Sequence, residues 1–100
     1  MTDTDSPAVR DVPERSRFEI EVGGTAAGFA AYVRHDDEVV LTHTVIDEGW
    51  EGRGLGGVLA RAAVLAITEA GGTVVPRCPF IASWLRKHPD VPARVRWPED

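Results

Sequence analysis

The sequence predicts an α+β domain, a mixed and mostly antiparallel sheet with two packed helices in the order β-β-β-α-β-α. Three observations predict it. Three consecutive runs carry strand patterning with only short polar or glycine links between them. A glycine-rich loop then runs into a segment of helical period, and a short apolar run and a second helix follow. A strand, helix, strand crossover of this kind calls for a parallel pair in the sheet.

In the first run Phe18, Ile20 and Val22 alternate with Arg17, Glu19 and Glu21, the period of a half-buried strand. Gly23-Gly24-Thr25 turns the chain. In the second run Phe29, Ala31 and Val33 alternate with Ala30, Tyr32 and Arg34, and His35-Asp36-Asp37 suits a hairpin. The third, Glu38 to Ile46, is rich in β-branched residues. Its alternation groups His43 with Leu41 and Val45. The helix that follows has an expected apolar face of Leu55, Val58, Leu59, Ala62, Leu65 and Ala66, and Gly71-Gly72 stops it. Thr73 to Arg77 reads as a strand, and Pro79 opens a helix whose expected face is Phe80, Ile81, Trp84, Leu85 and His88, ended by Pro89.

One hundred residues predict a single domain. Its expected limits are 17–91, after a flexible arm over 1–16 that holds Pro7, Pro13 and few apolar anchors, and before an irregular tail over 92–100. With 11 Lys and Arg against 16 Asp and Glu, the net charge of −5 argues against a general nucleic-acid binder. The lone Cys78 excludes an internal disulfide and a multi-cysteine zinc site. The polar start lacks the apolar run of a secretory signal, and no stretch approaches the ~20 apolar residues of a membrane span. The expected compartment is the cytoplasm.

The informative stretch is Glu51-Gly52-Arg53-Gly54-Leu55-Gly56-Gly57. The first amides of a helix lack internal partners and carry partial positive charge, so an anion set against them satisfies both. Glycines let the backbone come close, and Arg53 adds a forked cationic donor. The same glycines equally suit a tight strand-to-helix turn that binds nothing. A P-loop is excluded because Gly56 is followed by Gly57-Val58 rather than Lys-Ser/Thr. A dinucleotide fingerprint would follow the first strand of a parallel sheet, not a third antiparallel one.

Thr42-His43-Thr44-Val45-Ile46 followed by Trp50-Glu51-Gly52-Arg53-Gly54-Leu55-Gly56 resembles the coenzyme-A-binding segment of the GNAT N-acetyltransferase superfamily. Pro76-Arg77-Cys78-Pro79-Phe80-Ile81, with Trp84-Leu85 and His88-Pro89, is similar to its short single-domain, YjdJ-type subgroup. The resemblance implies a minimal GNAT-like fold and transfer of an acetyl group from acetyl-CoA to an amine. It implies that main-chain groups of Val45 and Ile46 hold the pantetheine arm, and that the amides of Gly52, Arg53, Gly54, Leu55 and Gly56 cradle the pyrophosphate. Glu51 stands where the family usually has Gln or Arg, and a carboxylate there repels phosphate unless it points away.

Acetyl transfer needs a neutral amine, a stabilised carbonyl oxygen and a proton for the leaving thiolate. Larger family members often draw that proton from a tyrosine on the last helix. Here Trp84 stands near that position, and an indole N–H is no practical acid. The only tyrosine, Tyr32, lies on an early strand. Cys78, between a strand and a helix start, is one candidate, since the helix field lowers a thiol's pKa there; simple packing is the other reading. His43, two residues before Val45, is a candidate base or a structural histidine. The three histidines show no metal-ligand spacing. Asp47 and Glu48 can bind an amine or simply face solvent. Besides the enzyme, the sequence admits a non-catalytic CoA or acyl-CoA-binding module, because the helices that build the acceptor pocket in full-sized members are missing.

Overall fold

The computed structural model describes residues 6–98. Five strands form one sheet in chain order: β1 (Pro7–Val12), β2 (Arg17–Val22), β3 (Thr25–His35), β4 (Glu38–Ile46) and β5 (Thr73–Pro76). The first four pair antiparallel and β4–β5 is parallel. Helix α1 (Leu55–Glu69) makes the crossover that a parallel pair requires, and α2 (Pro79–Lys87) follows β5. No helix among the described residues is long and apolar enough to cross a membrane.

The sheet buries one face under both helices, in a core that includes Ile20, Leu41, Leu59 and Ile81. Strand β2 follows its alternation, burying Phe18 and Ile20. Gly23 and Gly24 both have positive φ, as a two-residue hairpin turn needs. In β3 the inner set is Ala30 and Tyr32, while Val33 is 49% exposed. Two bulges reset the alternation: Ala27 is the extra residue of β3 against β2, and Thr42 that of β4 against β3. The second separates His43 from Leu41. Leu41 stays in the core, whereas His43 and Val45 turn outward.

The arm expected over 1–16 is ordered where it is described, because Pro7–Val12 pair with β2 from Pro7↔Val22 to Val12↔Arg17. Met1 to Asp5 lie outside the described residues. With β1 counted, the link after the first strand is Pro13–Ser16, containing a single 3-10 turn, rather than Gly23-Gly24.

On α1 the buried set is Leu55, Leu59, Ala60, Ala63, Val64 and Ile67, rotated from the expected stripe, and Val58 is 38% exposed. On α2 Ile81, Trp84 and Leu85 are buried, but Phe80 is 43% exposed. The tail expected to be irregular docks along β5: Val95 bridges Val74, and Arg96 grips Glu38 through two bonds of 2.7 and 2.8 Å. That guanidinium holds the Glu38 carboxyl below its ordinary pKa, against a smaller opposing effect of burial.

Candidate functional site

The parallel ladder is short. β5 pairs only with Glu38 to Leu41 of β4. At Leu41 its carbonyl accepts both the Arg77 N–H (3.1 Å) and the Cys78 N–H (2.9 Å), and Pro79 then opens α2. Proline can do so because the first amide of a helix needs no internal partner. From Thr42 to Ile46, β4 therefore runs on beside β5's end with no strand on that edge among the described residues. An unpaired edge offers alternating N–H and C=O groups to an extended ligand.

The loop after β4 is fastened at its root, with the Asp47 N–H donating to the Ala27 carbonyl at 2.8 Å and the Trp50 N–H to the Asp47 carbonyl at 3.0 Å. Gly52 and Gly54 have φ of 81° and 77°, and a Cβ at either would meet nothing within 4 Å. Glycine is needed here for backbone conformation, not for room. Gly54 is the N-cap of α1, and no side chain caps the helix. The Val58 N–H donates to the Gly54 carbonyl at 3.3 Å, so Leu55, Gly56 and Gly57 carry the first amides without intrahelical acceptors. Leu55 anchors this end in the core.

Arg53 lies 4.7 Å over the Trp50 ring, and Trp50 packs against the core. Glu51 is exposed. A hollow of 490 Å³ adjoins the loop on the side of the β2–β3 turn, lined by Trp50, Arg53 and Leu55 with Pro7, Val22, Gly23 and Thr25.

Gly56 and Gly57 have a second use that sequence reasoning missed. A Cβ on Gly56 would come within 2.9 Å of Phe80 Cζ, and one on Gly57 within 3.4 Å of Trp84 Nε1. Both glycines let α2 lean on the first turn of α1. Phe80, exposed in the first turn of α2, forms a wall beside the open helix end. Spacing gave no sign of this, since the contact joins two helices distant in sequence.

At the fork Cys78 Sγ lies 3.4 Å from Thr44 Oγ1, and the cysteine is buried. Thr44 was also missed by the sequence reading; its inward direction follows from the Thr42 bulge. His43, next to it on the strand, faces away from Cys78 and rests edge-on against Phe29 with ring centroids 5.9 Å apart. The two catalytic candidates of the sequence thus lie on opposite faces of the sheet. Tyr32 donates its O–H to Asp11 Oδ1 at 2.6 Å on β1, away from the fork. Burial first, and then that bond, raise its pKa, partly opposed by Arg34. His88 caps α2, its ring stacked 4.2 Å from Trp84 and its Nδ1 2.7 Å from the Trp84 carbonyl, to which it donates. No metal-binding group of three or more His, Cys, Asp or Glu occurs among the described residues.

The sequence pattern of the GCN5-related N-acetyl-transferase family matches residues 17–95, from β2 into the docked tail. The chain belongs to that family. No curated protein sequence matches it. The NMR solution structure of a GCN5-like protein from Staphylococcus aureus superimposes with a TM-score of 0.68 at 21% identity, covering 99% of this chain and 94% of that one. At this identity the likeness establishes the GNAT-like fold.

Proposed function

We propose that this GNAT-family chain is an acetyl-CoA-dependent N-acetyltransferase acting on an amine, built on the short single-domain plan. The observation that carries the proposal is the uncapped start of α1 at Gly54 beside an unpaired edge of β4. One feature takes an anion and the other an extended amide-bearing arm, and coenzyme A carries both groups joined. The residues fit the ligand: the amides of Gly52 to Gly56 are unobstructed by side chains of their own at Gly52, Gly54 and Gly56, and Glu51 is free to turn to solvent.

In this reading the loop amides and Arg53 hold the pyrophosphate, and main-chain groups of Val45 and Ile46 hold the pantetheine arm. Bound acetyl-CoA supplies an activated acetyl thioester. Cys78 and Thr44 stand at the floor of the fork as a thiol–hydroxyl pair able to hold or pass a proton. His43, on the outer face, is the candidate to take a proton from an amine arriving there.

The non-catalytic CoA-binding module remains a second reading, favoured by two observations. The link after β1 is one 3-10 turn, and the sole tyrosine is tied to Asp11. Calorimetry with CoA tests the binding site: absence of heat at millimolar CoA sinks both readings. Thiol release from acetyl-CoA with mixed amines separates them, and release no faster than without protein leaves only the module. Cys78→Ala that turns over normally removes the cysteine from the chemistry.

A further inference from the structure

We propose that the outer face of the sheet around Phe29 is the acceptor side, and that it takes an amine bearing an anionic group at its far end. Only the word acceptor rests on the acetyltransferase reading; the site itself rests on the following geometry.

The inner face has no room, since Ile20, Leu41, Leu59 and Ile81 are fully buried there. The outer face is open, and the Thr42 bulge turns His43 and Val45 toward it. Phe29 lies directly opposite Val45, one strand in from the free edge of β4. Beside it is a hollow of 260 Å³ whose lining includes Arg15, Arg17, Glu19, Phe29 and Asp47.

The charges in this hollow are unequally engaged. Glu19 accepts from Arg17 at 2.8 Å and lies 3.4 Å from Arg15 and 3.7 Å from Arg10. The Arg17 bond chiefly, helped by all three charges and opposed by burial, holds its carboxyl below the ordinary range. Arg10 has a second partner in Glu21 at 3.7 Å, so Glu19 is left to Arg15 and Arg17; Arg17 holds it at 2.8 Å, and Arg15, 63% exposed and at the longer 3.4 Å, has the capacity to take another anion. Asp47 has no ion pair among the described residues, yet its backbone is fixed by the bond to Ala27.

Asp47 leaves β4 beside Ala27, and Arg17 enters β2 opposite Ala31. Four residues along β3 separate these levels, about 13 Å of backbone, which the arginine side chains shorten. Between them lies the Phe29 ring, already covered by the Arg17 guanidinium at 4.4 Å. A carboxylate on a pinned backbone and a weakly engaged guanidinium across an aromatic patch favour a molecule charged oppositely at its two ends. A diamine meets repulsion at Arg15.

The test is an NMR titration of the full ¹⁵N-labelled chain with 6-aminohexanoate and with hexane-1,6-diamine. The amino acid is expected to shift the amides of Ala26, Phe29 and Asp47 and to bind about fivefold more tightly than the diamine, the scale of one exposed ion pair. Arg15→Gln, an exposed change whose fold its own spectrum reports, is expected to erase that difference. Equal or tighter binding of the diamine, a preference that survives Arg15→Gln, or no shift around Phe29 overturns the proposal. Titrating CoA into the same sample reads the amides of Gly52 to Leu55, so failure of the coenzyme site registers separately.

Discussion

Gly28 is the residue whose replacement tests the geometry most severely. It is buried in β3 opposite Ile46, one residue past the Ala27 bulge, and its φ makes no special demand for glycine. A Cβ built there would overlap the Val45 carbonyl oxygen and fall 3.1 Å from Ile46 Cα, where Cβ atoms hardly ever come within 3.0 Å of anything. Both obstacles are backbone, so no rotamer change relieves them and β4 itself must shift. Overpacking of this kind costs about 1–3 kcal/mol. Alanine recovers roughly 0.5–1 kcal/mol through the smaller entropy loss it suffers in a strand. The balance, about 1–2 kcal/mol, lowers the melting temperature of a domain this size by roughly 5–15 °C. The displaced residues are those proposed to hold the pantetheine arm, so CoA affinity falls with it. Scanning calorimetry of Gly28→Ala and titration with CoA measure the two effects. A variant with both its melting temperature and its affinity unchanged would refute the close approach of β3 to β4.

Gly54→Ala places a Cβ at φ 77°, a strain of about 1–2 kcal/mol, and is expected to lower both melting temperature and CoA heat; Gly54→Asn, which tolerates this region, should lose less. Because Glu38 has a depressed pKa, its pairing stabilises the fold above the ordinary carboxylate range and fades as pH falls through the lowered value. Glu38→Gln should therefore melt below wild type at pH 7, with the gap closing on acidification; a gap independent of pH contradicts the pairing. Tyr32→Phe loses the bond to Asp11 and is expected to cost about 1 kcal/mol by chemical denaturation. Since the Tyr32 pKa is raised, its contribution is complete below the ordinary phenol value and declines as pH climbs through the higher one. Ultraviolet titration should find its midpoint above that of a free tyrosine.

What was legible in the sequence is what local pattern controls. The limits of β2 and β4, the loop, and the start of α2 at Pro79 follow from alternation, glycine and proline. β1 was not legible because Pro7–Val12 carries only Val9 and Val12 as strand-forming apolar residues; its order comes from pairing with β2. The face of α1 was misread because its residues are apolar nearly all round, with only Arg61 and Glu69 charged, so several stripes fit equally well. The bulges left no mark in composition, yet the one at Thr42 decides which side His43 faces. At the site, the glycines of the loop announced themselves, whereas Thr44 and Phe80 acquire their places only when α2 folds back on β4 and α1.

The docked tail determines where this chain can be cut or joined to another. Val74 donates to the Arg94 carbonyl at 2.8 Å and accepts from the Arg96 N–H at 2.9 Å, so the last strand of the sheet does not end in bare backbone. A fragment stopped at Val91, the end of its last buried apolar residue, would leave that edge uncovered and inclined to stack on other molecules. Fusion partners and affinity tags at this end belong beyond Trp97, whose ring lies 4.6 Å beneath the Arg86 guanidinium.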